Sequence, residues 1–131
     1  DNGVDLTLHL HFNDYPGHKY NKSGKYSGFT VYVPDSQYSN SRASSELGMA
    51  ISKELQKVSS ISNLPEENKE VVPDQDLIAV GAKGTRVGAS VLIEYGYIYE
   101  PKFNDAKLKN VVLSQLALQT YFGLRNYLST Q

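Results

Sequence analysis

The 131-residue sequence predicts a single α/β domain, on three observations. Short apolar runs bounded by Pro, Gly and polar clusters alternate with longer stretches whose apolar residues recur at three- and four-residue steps. Apolar residues make up 40% and charged residues 21%, the mixture of a globular chain rather than a disordered one. The length is enough to bury one core, and no internal repeat, linker or low-complexity tract divides it.

The elements follow in order. Leu6 to Phe12, LTLHLHF, reads as a first strand, and residues 13–28, NDYPGHKYNKSGKYSG, as a loop. Phe29 to Val33, FTVYV, is a second strand closed by Pro34. Residues 39–60 are helical: Ala43, Leu47, Ile51, Leu55 and Val58 form one stripe, and the Ser/Asn cluster ahead of them offers an N-cap. Residues 59–76 are polar, carry Pro65 and Pro73, and read as a long surface loop. A short strand, DLIAVG, is expected over 76–81, and a longer one, ASVLIEYGY, over 89–97. After Pro101 a terminal helix is expected, with Leu113, Ala117, Tyr121, Leu124 and Leu128 along its inner face.

Composition narrows the function classes. The formal net charge is −1 and the 13 basic residues form no dense block, which argues against a nucleic-acid partner. The absence of cysteine removes disulfide frameworks and thiolate metal sites. No stretch approaches the roughly 20 apolar residues of a membrane span. No signal peptide is present, and a start at Asp1 rather than Met points to processing or truncation upstream. Ten tyrosines suit a carbohydrate or peptide groove.

The strand over 89–97 contains an anomaly. Val91, Leu92, Ile93 and Tyr95 place apolar groups on both faces, the pattern of a strand covered on both sides, yet Glu94 sits among them. An ionised carboxylate is costly to bury without a partner. Glu94 lies near the carboxyl end of its strand, and His11 near the carboxyl end of the first. Ligands of open α/β sheets bind beyond those ends, so both residues are expected in one crevice. A histidine with a free carboxylate suits a zinc hydrolase, where imidazole binds the metal and the carboxylate carries a proton. No G-x-S-x-G elbow, P-loop or G-x-G-x-x-G is present, which leaves serine-nucleophile and nucleotide chemistry without support.

These residues carry a resemblance. VDLTLHLHFND resembles the Ser-Ile-His-Ala-Asn strand of the zinc-dependent N-acetylmuramoyl-L-alanine amidases of type 3. GFTVYVP resembles the family's next strand, SNSRASSELGMAISKEL its following helix, and SVLIEYGYIYEP its Val-Glu-x-Gly-Phe-x-Ser-Asn-Pro motif. The four stretches occur in family order between Asp5 and about Leu128. The resemblance implies a mixed open sheet flanked by helices, zinc-hydrolase-like, with residues 1–131 the C-terminal portion of the catalytic domain. It implies zinc as cofactor, His11 as a metal ligand and Glu94 as the catalytic carboxylate. The reaction implied is hydrolysis of the amide between N-acetylmuramic acid and L-alanine by a zinc-activated water. The partner is peptidoglycan, and the location is the bacterial cell envelope, as for an autolysin.

Family domains open with a strand ending in Asp-Pro-Gly-His, which supplies one zinc ligand, and a later glutamate supplies another. Both would precede this chain, so the family's N-terminal strand and helix segment is expected to be absent and one of three ligands present. DYPGH at 14–18 looks like the opening motif but falls after the His11 strand, as a loop coincidence. Without the resemblance, His11 reads more readily as a hydrogen-bonded core residue than as a ligand. His9 shares its strand face and is expected to be structural or to support the ligands, and His18 to lie exposed in a loop. Glu94 has a structural alternative, a buried pair with Arg86. Asn13 suits the start of a turn, Tyr95, Tyr97 and Tyr99 suit packing as well as substrate stacking, and Glu66, Glu67 and Glu70 read as a solvated loop. Lys19, Lys22 and Lys25 are expected to attract an acidic peptide or wall glycan. The competing function is a non-catalytic wall-binding or scaffold module on the same fold. A third is a different zinc peptidase or deacetylase.

Overall fold

The computed structural model describes residues 4–19, 22–76 and 88–131. Four strands form one sheet in the order β1-β4-β2-β3: β1 Leu6–Asn13, β2 Thr30–Pro34, β3 Val72–Asp74 and β4 Ala89–Tyr97. β1 runs parallel to β4, β4 antiparallel to β2, and β2 parallel to β3, so the sheet is mixed, as the sequence predicts. The helices are α1 Ser41–Leu55, α2 Pro101–Asn104 and α3 Lys109–Leu128. The strand expected over 76–81 and the candidate partner Arg86 lie outside the described residues, apart from Asp76.

Strand alternation sorts the side chains into a dry face and a polar face. Leu8, Val91, Ile93, Val31 and Val33 share one side of the sheet through their register positions. α1 and α3 pack there, contributing Leu47, Ile51, Leu55, Leu116 and Tyr127 to the core. Burying one such aliphatic side chain is worth about 1.5–3 kcal/mol, before the entropy of ordering it. β4 is buried at eight of its nine positions, Glu94 being the intermediate one. This agrees with its expected cover on both sides.

The stripe expected along α1 is present from Ala43 to Leu55, but Val58 lies beyond the helix and is exposed. Asn40 occupies the N-cap without capping through its side chain, which donates instead to the Gly88 carbonyl at 3.2 Å. Ser44 Oγ accepts from the Ser90 amide at 2.9 Å. Both bonds fasten the start of α1 to the start of β4.

Two sequence expectations require correction. The inner face of α3 is Val112, Leu116, Thr120, Gly123, Leu124 and Tyr127, so Leu124 alone of the expected stripe packs on the core, whereas Leu113, Ala117, Tyr121 and Leu128 are exposed. The helix is apolar on several sides, so periodicity alone could not choose the stripe. Close packing chooses it: a Cβ at Gly123 would stand 2.5 Å from Ile51 Cα, so only glycine lets the two helices approach this closely. Residues 59–76 are also more than a surface loop. They hold a 3₁₀ turn at Pro65–Glu67 and the three-residue strand β3. β3 is short and lies at the edge of the described sheet, where Pro73 costs little.

Candidate functional site

Register builds the site. His11 is the partner of Glu94 across the parallel β1/β4 pair, and Thr30 is the partner of Glu94 across the antiparallel β4/β2 pair. Partners in register project to the same side, so His11, Glu94 and Thr30 form one rung on the polar face. His11 Nδ1 stands 3.9 Å from Glu94 Oε1, too far for a hydrogen bond but within ion-pair range once the ring is protonated. The two residues expected in one crevice are thus brought together.

Their exposures differ. The His11 side chain is 51% exposed and that of Glu94 15%. Glu94 Oε2 is buried and has no hydrogen-bond partner among the described residues. Burial raises the Glu94 pKa above its ordinary value; His11 opposes the shift, and the nearby charge of Glu67 adds to it. A carboxylate with a spare oxygen and a raised affinity for protons is chemically equipped to accept one and give it up again.

The second carboxylate of this face is Glu67, and its placement overturns the reading of a solvated loop. Glu67 is 4% exposed. Its Oε1 accepts from Asn13 Nδ2 at 2.9 Å and from Tyr32 OH at 2.7 Å. Its Oε2 accepts from Thr30 Oγ1 at 2.9 Å, Ser62 Oγ at 2.7 Å and Tyr97 OH at 2.9 Å. Burial alone would raise its pKa, but the hydrogen bonds from Tyr32, Ser62, Tyr97 and Thr30 outweigh burial and hold it below the ordinary value. The reverse acts on Tyr32 and Tyr97, whose hydroxyls are driven well above the usual tyrosine range, chiefly by burial. The sequence carried a signal for this cluster. Thr30 and Tyr32 place two hydroxyls on one side of β2, and buried hydroxyls need an acceptor, whereas Tyr97 alternates with Tyr95 in sequence and joins them only past the β1/β4 register shift.

Asn13 does two jobs. It ends β1 and starts the turn, its Oδ1 accepting from the Asp14 amide at 2.9 Å, while its Nδ2 reaches Glu67. The β1/β4 register shifts between His11 and Asn13, so this bond anchors the strand just past an irregularity beside His11. His9 lies on the polar face with its ring centroid 6.4 Å from that of His11, and its Nε2 is buried without a hydrogen-bond partner among the described residues. His18 belongs to a turn after β1, its Nδ1 2.7 Å from Asp14 Oδ1, so DYPGH does not form a strand-end motif. Tyr95, Tyr97 and Tyr99 are all buried, and their hydroxyls meet Thr120, Glu67 and the Tyr26 carbonyl. Packing accounts for them.

Among the described residues, no group of three or more His, Asp or Glu side chains gathers closely enough to hold a metal ion. His11, with a half-exposed ring, and Glu94, with a buried unpartnered oxygen, suit one corner of a zinc shell with a carboxylate beside it. The donor set on this face therefore fits zinc in part.

Known proteins share the family and the fold of this chain. Residues 1–126 match the family model described as N-acetylmuramoyl-L-alanine amidase. The chain is similar in structure to the CwlD amidase of Clostridioides difficile, solved in complex with the GerS lipoprotein, with a TM-score of 0.74 at 24% identity. It is also similar to the amidase Ami1 of Mycobacterium smegmatis, with a TM-score of 0.73 at 15% identity, and to AmiC2 of Nostoc punctiforme, with 0.64 at 17%. These alignments cover 100%, 97% and 96% of this chain and 58%, 55% and 59% of the respective relatives, so the chain spans little more than half their length. No match was found among curated proteins. On the family match over nearly its whole length, the chain belongs to the N-acetylmuramoyl-L-alanine amidase family.

Proposed function

We propose that these residues form the His11–Glu94 part of a zinc-dependent peptidoglycan amidase that cleaves the bond between N-acetylmuramic acid and the L-alanine of the stem peptide. The observation that carries the reading is the rung in which His11 and Glu94 face one another from adjacent parallel strands. His11 is the residue to hold zinc, with the remaining ligands supplied from outside the described residues. Zinc bound there supplies a Lewis acid that polarises the scissile carbonyl and lowers the pKa of the attacking water.

The chain's own part is proton handling and positioning. Glu94 Oε2 takes the proton of the attacking water and returns it to the departing alanine nitrogen. Its raised pKa suits both transfers, because a proton acceptor of ordinary acidity would release the proton to bulk water instead. Glu67 remains ionised and fully bonded, and it holds Thr30 within the rung and Asn13 just beyond it. Peptidoglycan as substrate places the work outside the cytoplasmic membrane, and no helix among the described residues is long and apolar enough to cross one.

Product masses from one disaccharide-tetrapeptide muropeptide test the bond assignment. The expected products are the intact disaccharide, now ending in a lactyl carboxylate, and the free tetrapeptide with an alanine amino terminus. A cut within the stem, or deacetylation of the sugar, would replace this reading with another zinc hydrolase.

A further inference from the structure

Beyond Asn13 the chain builds a second feature that the rung does not use. Asp14 Oδ1 accepts from the Tyr15 amide at 2.7 Å and pairs with His18 Nδ1, which closes a tight turn over Pro16 and Gly17. The His18 ring lies on Tyr99, centroids 5.1 Å apart and planes 31° from parallel. Tyr99 in turn holds the far side of the loop: its hydroxyl donates to the Tyr26 carbonyl at 2.8 Å and accepts from the Tyr26 amide at 3.3 Å. Gly24 presses against the Tyr99 ring so closely that a Cβ there would stand 2.2 Å from a ring carbon. Tyr15 meets Tyr26 edge to face at 4.8 Å. These contacts shape a cavity of about 300 Å³ with Tyr99 and His18 on one side and Lys19, Lys22 and Lys25 around it.

The charge of this cavity has no internal answer. Three lysines border it, the neighbouring carboxylate Asp14 is engaged by His18, and no described carboxylate stands within ion-pair reach of Lys19, Lys22 or Lys25. Lys25 lies over the Tyr26 ring, 5.0 Å from its centroid. The walls are thus held by aromatic and backbone contacts, and Lys25 is engaged by Tyr26, which leaves the Lys19 and Lys22 ammonium groups to meet a ligand. On a chain of net charge −1, such a pocket selects for anions locally. Its aromatic side favours a ligand with an organic body rather than a bare ion.

Its place follows from the strands. Tyr97 pairs in register with Asn13, the Ile98 amide donates to the Asn13 carbonyl at 2.8 Å, and Tyr99 stacks on Tyr97 with centroids 5.4 Å apart. Tyr99 lies five positions after Glu94, at most roughly 17 Å of extended strand. A peptide that runs from the rung along this edge meets the cavity within about five extended residues.

We propose that the Tyr99–Lys19–Lys22 cavity is a carboxylate-binding subsite that receives the acidic residue of the stem peptide, a choice of peptide that rests on the peptidoglycan reading of the rung. Two dipeptides isolate it: L-alanyl-D-isoglutamate and its amide L-alanyl-D-isoglutamine, which differ in one carboxylate and carry no muramoyl bond. Titrated into the 131-residue protein and followed by backbone amide NMR, the acid should shift Gly17, Lys22 and Gly24. The amide should bind at least fivefold more weakly. The Lys19→Gln/Lys22→Gln variant should lose the difference between them. Equal binding of acid and amide, shifts reproduced by acetate at the same concentration, or no shift at these residues would each overturn the subsite. Because neither dipeptide can be cleaved as a substrate, the result is independent of catalysis. Carboxylate-dependent binding by a protein that leaves muropeptides uncut with zinc and any upstream segment of its domain present would keep the pocket and remove the amidase reading, whereas muropeptide cleavage with a KM indifferent to both lysines would do the reverse.

Discussion

Thr30 joins the two carboxylates of the polar face: it is the register partner of Glu94, and its hydroxyl donates to Glu67 Oε2 at 2.9 Å. Glu67 collects five donors and is held ionised, while Glu94 has a buried oxygen with none among the described residues and an affinity for protons raised by burial. Carboxylates whose surroundings push them apart divide the labour of a site, one serving as a fixed anion and the other as a proton carrier. The fixed charge also adds to the upward shift of its neighbour.

Replacing Glu67 by Gln should cost about 2–4 kcal/mol at neutral pH, since several hydrogen bonds to a charged acceptor become bonds to a neutral one with a donor group in the wrong place. The loss should depend on pH. The Glu67 pKa is depressed in the folded state, so its stabilisation is complete above the unfolded value of about 4.3 and fades as pH falls through the folded value. Urea denaturation at pH 7 and at pH 3 should show the gap between wild type and Glu67→Gln narrowing in acid. A gap of constant size would mean that the carboxylate charge contributes nothing.

Tyr97→Phe should destabilise by about 1.5–3 kcal/mol, the usual cost of losing a hydrogen bond to a charged group. In the Glu67→Gln background the same change should cost at least 1 kcal/mol less, because both act on one network. Additive effects in a double-mutant cycle would separate Tyr97 from Glu67.

Gly123→Ala introduces a methyl group against the backbone of α1, 2.5 Å from Ile51 Cα. The helices must part or shift, at a cost of about 1–3 kcal/mol despite the better helix propensity of alanine. A thermal midpoint equal to or above that of wild type would show that α1 and α3 do not pack this closely.

What the sequence revealed was local or periodic. β1 and β2 follow from short apolar runs between turn residues, β4 from an apolar run that covers both faces, and the stripe of α1 from three- and four-residue spacing, and the strand positions of His11 and Glu94 were enough to anticipate their meeting. The inner stripe of α3 did not follow, because Leu113 and Leu116 are equally apolar and only the close approach at Gly123 tells them apart. β3 escaped because three residues containing a proline carry no period. Glu67 escaped because four of its donors are 30 to 54 residues away in sequence, and local composition made it one acidic residue among three.

The division of roles between His11 and Glu94 is the central claim, and paired zinc content and turnover measured on Glu94→Gln test it most directly. The protein is assayed on purified sacculi with any upstream segment of its domain present, with new alanine amino termini counted. The account predicts zinc content equal to wild type and a rate lower by about 10²–10⁴-fold, the loss expected when a proton carrier is removed. Zinc lost in proportion to activity would make Glu94 a ligand, and unchanged turnover would contradict its role outright.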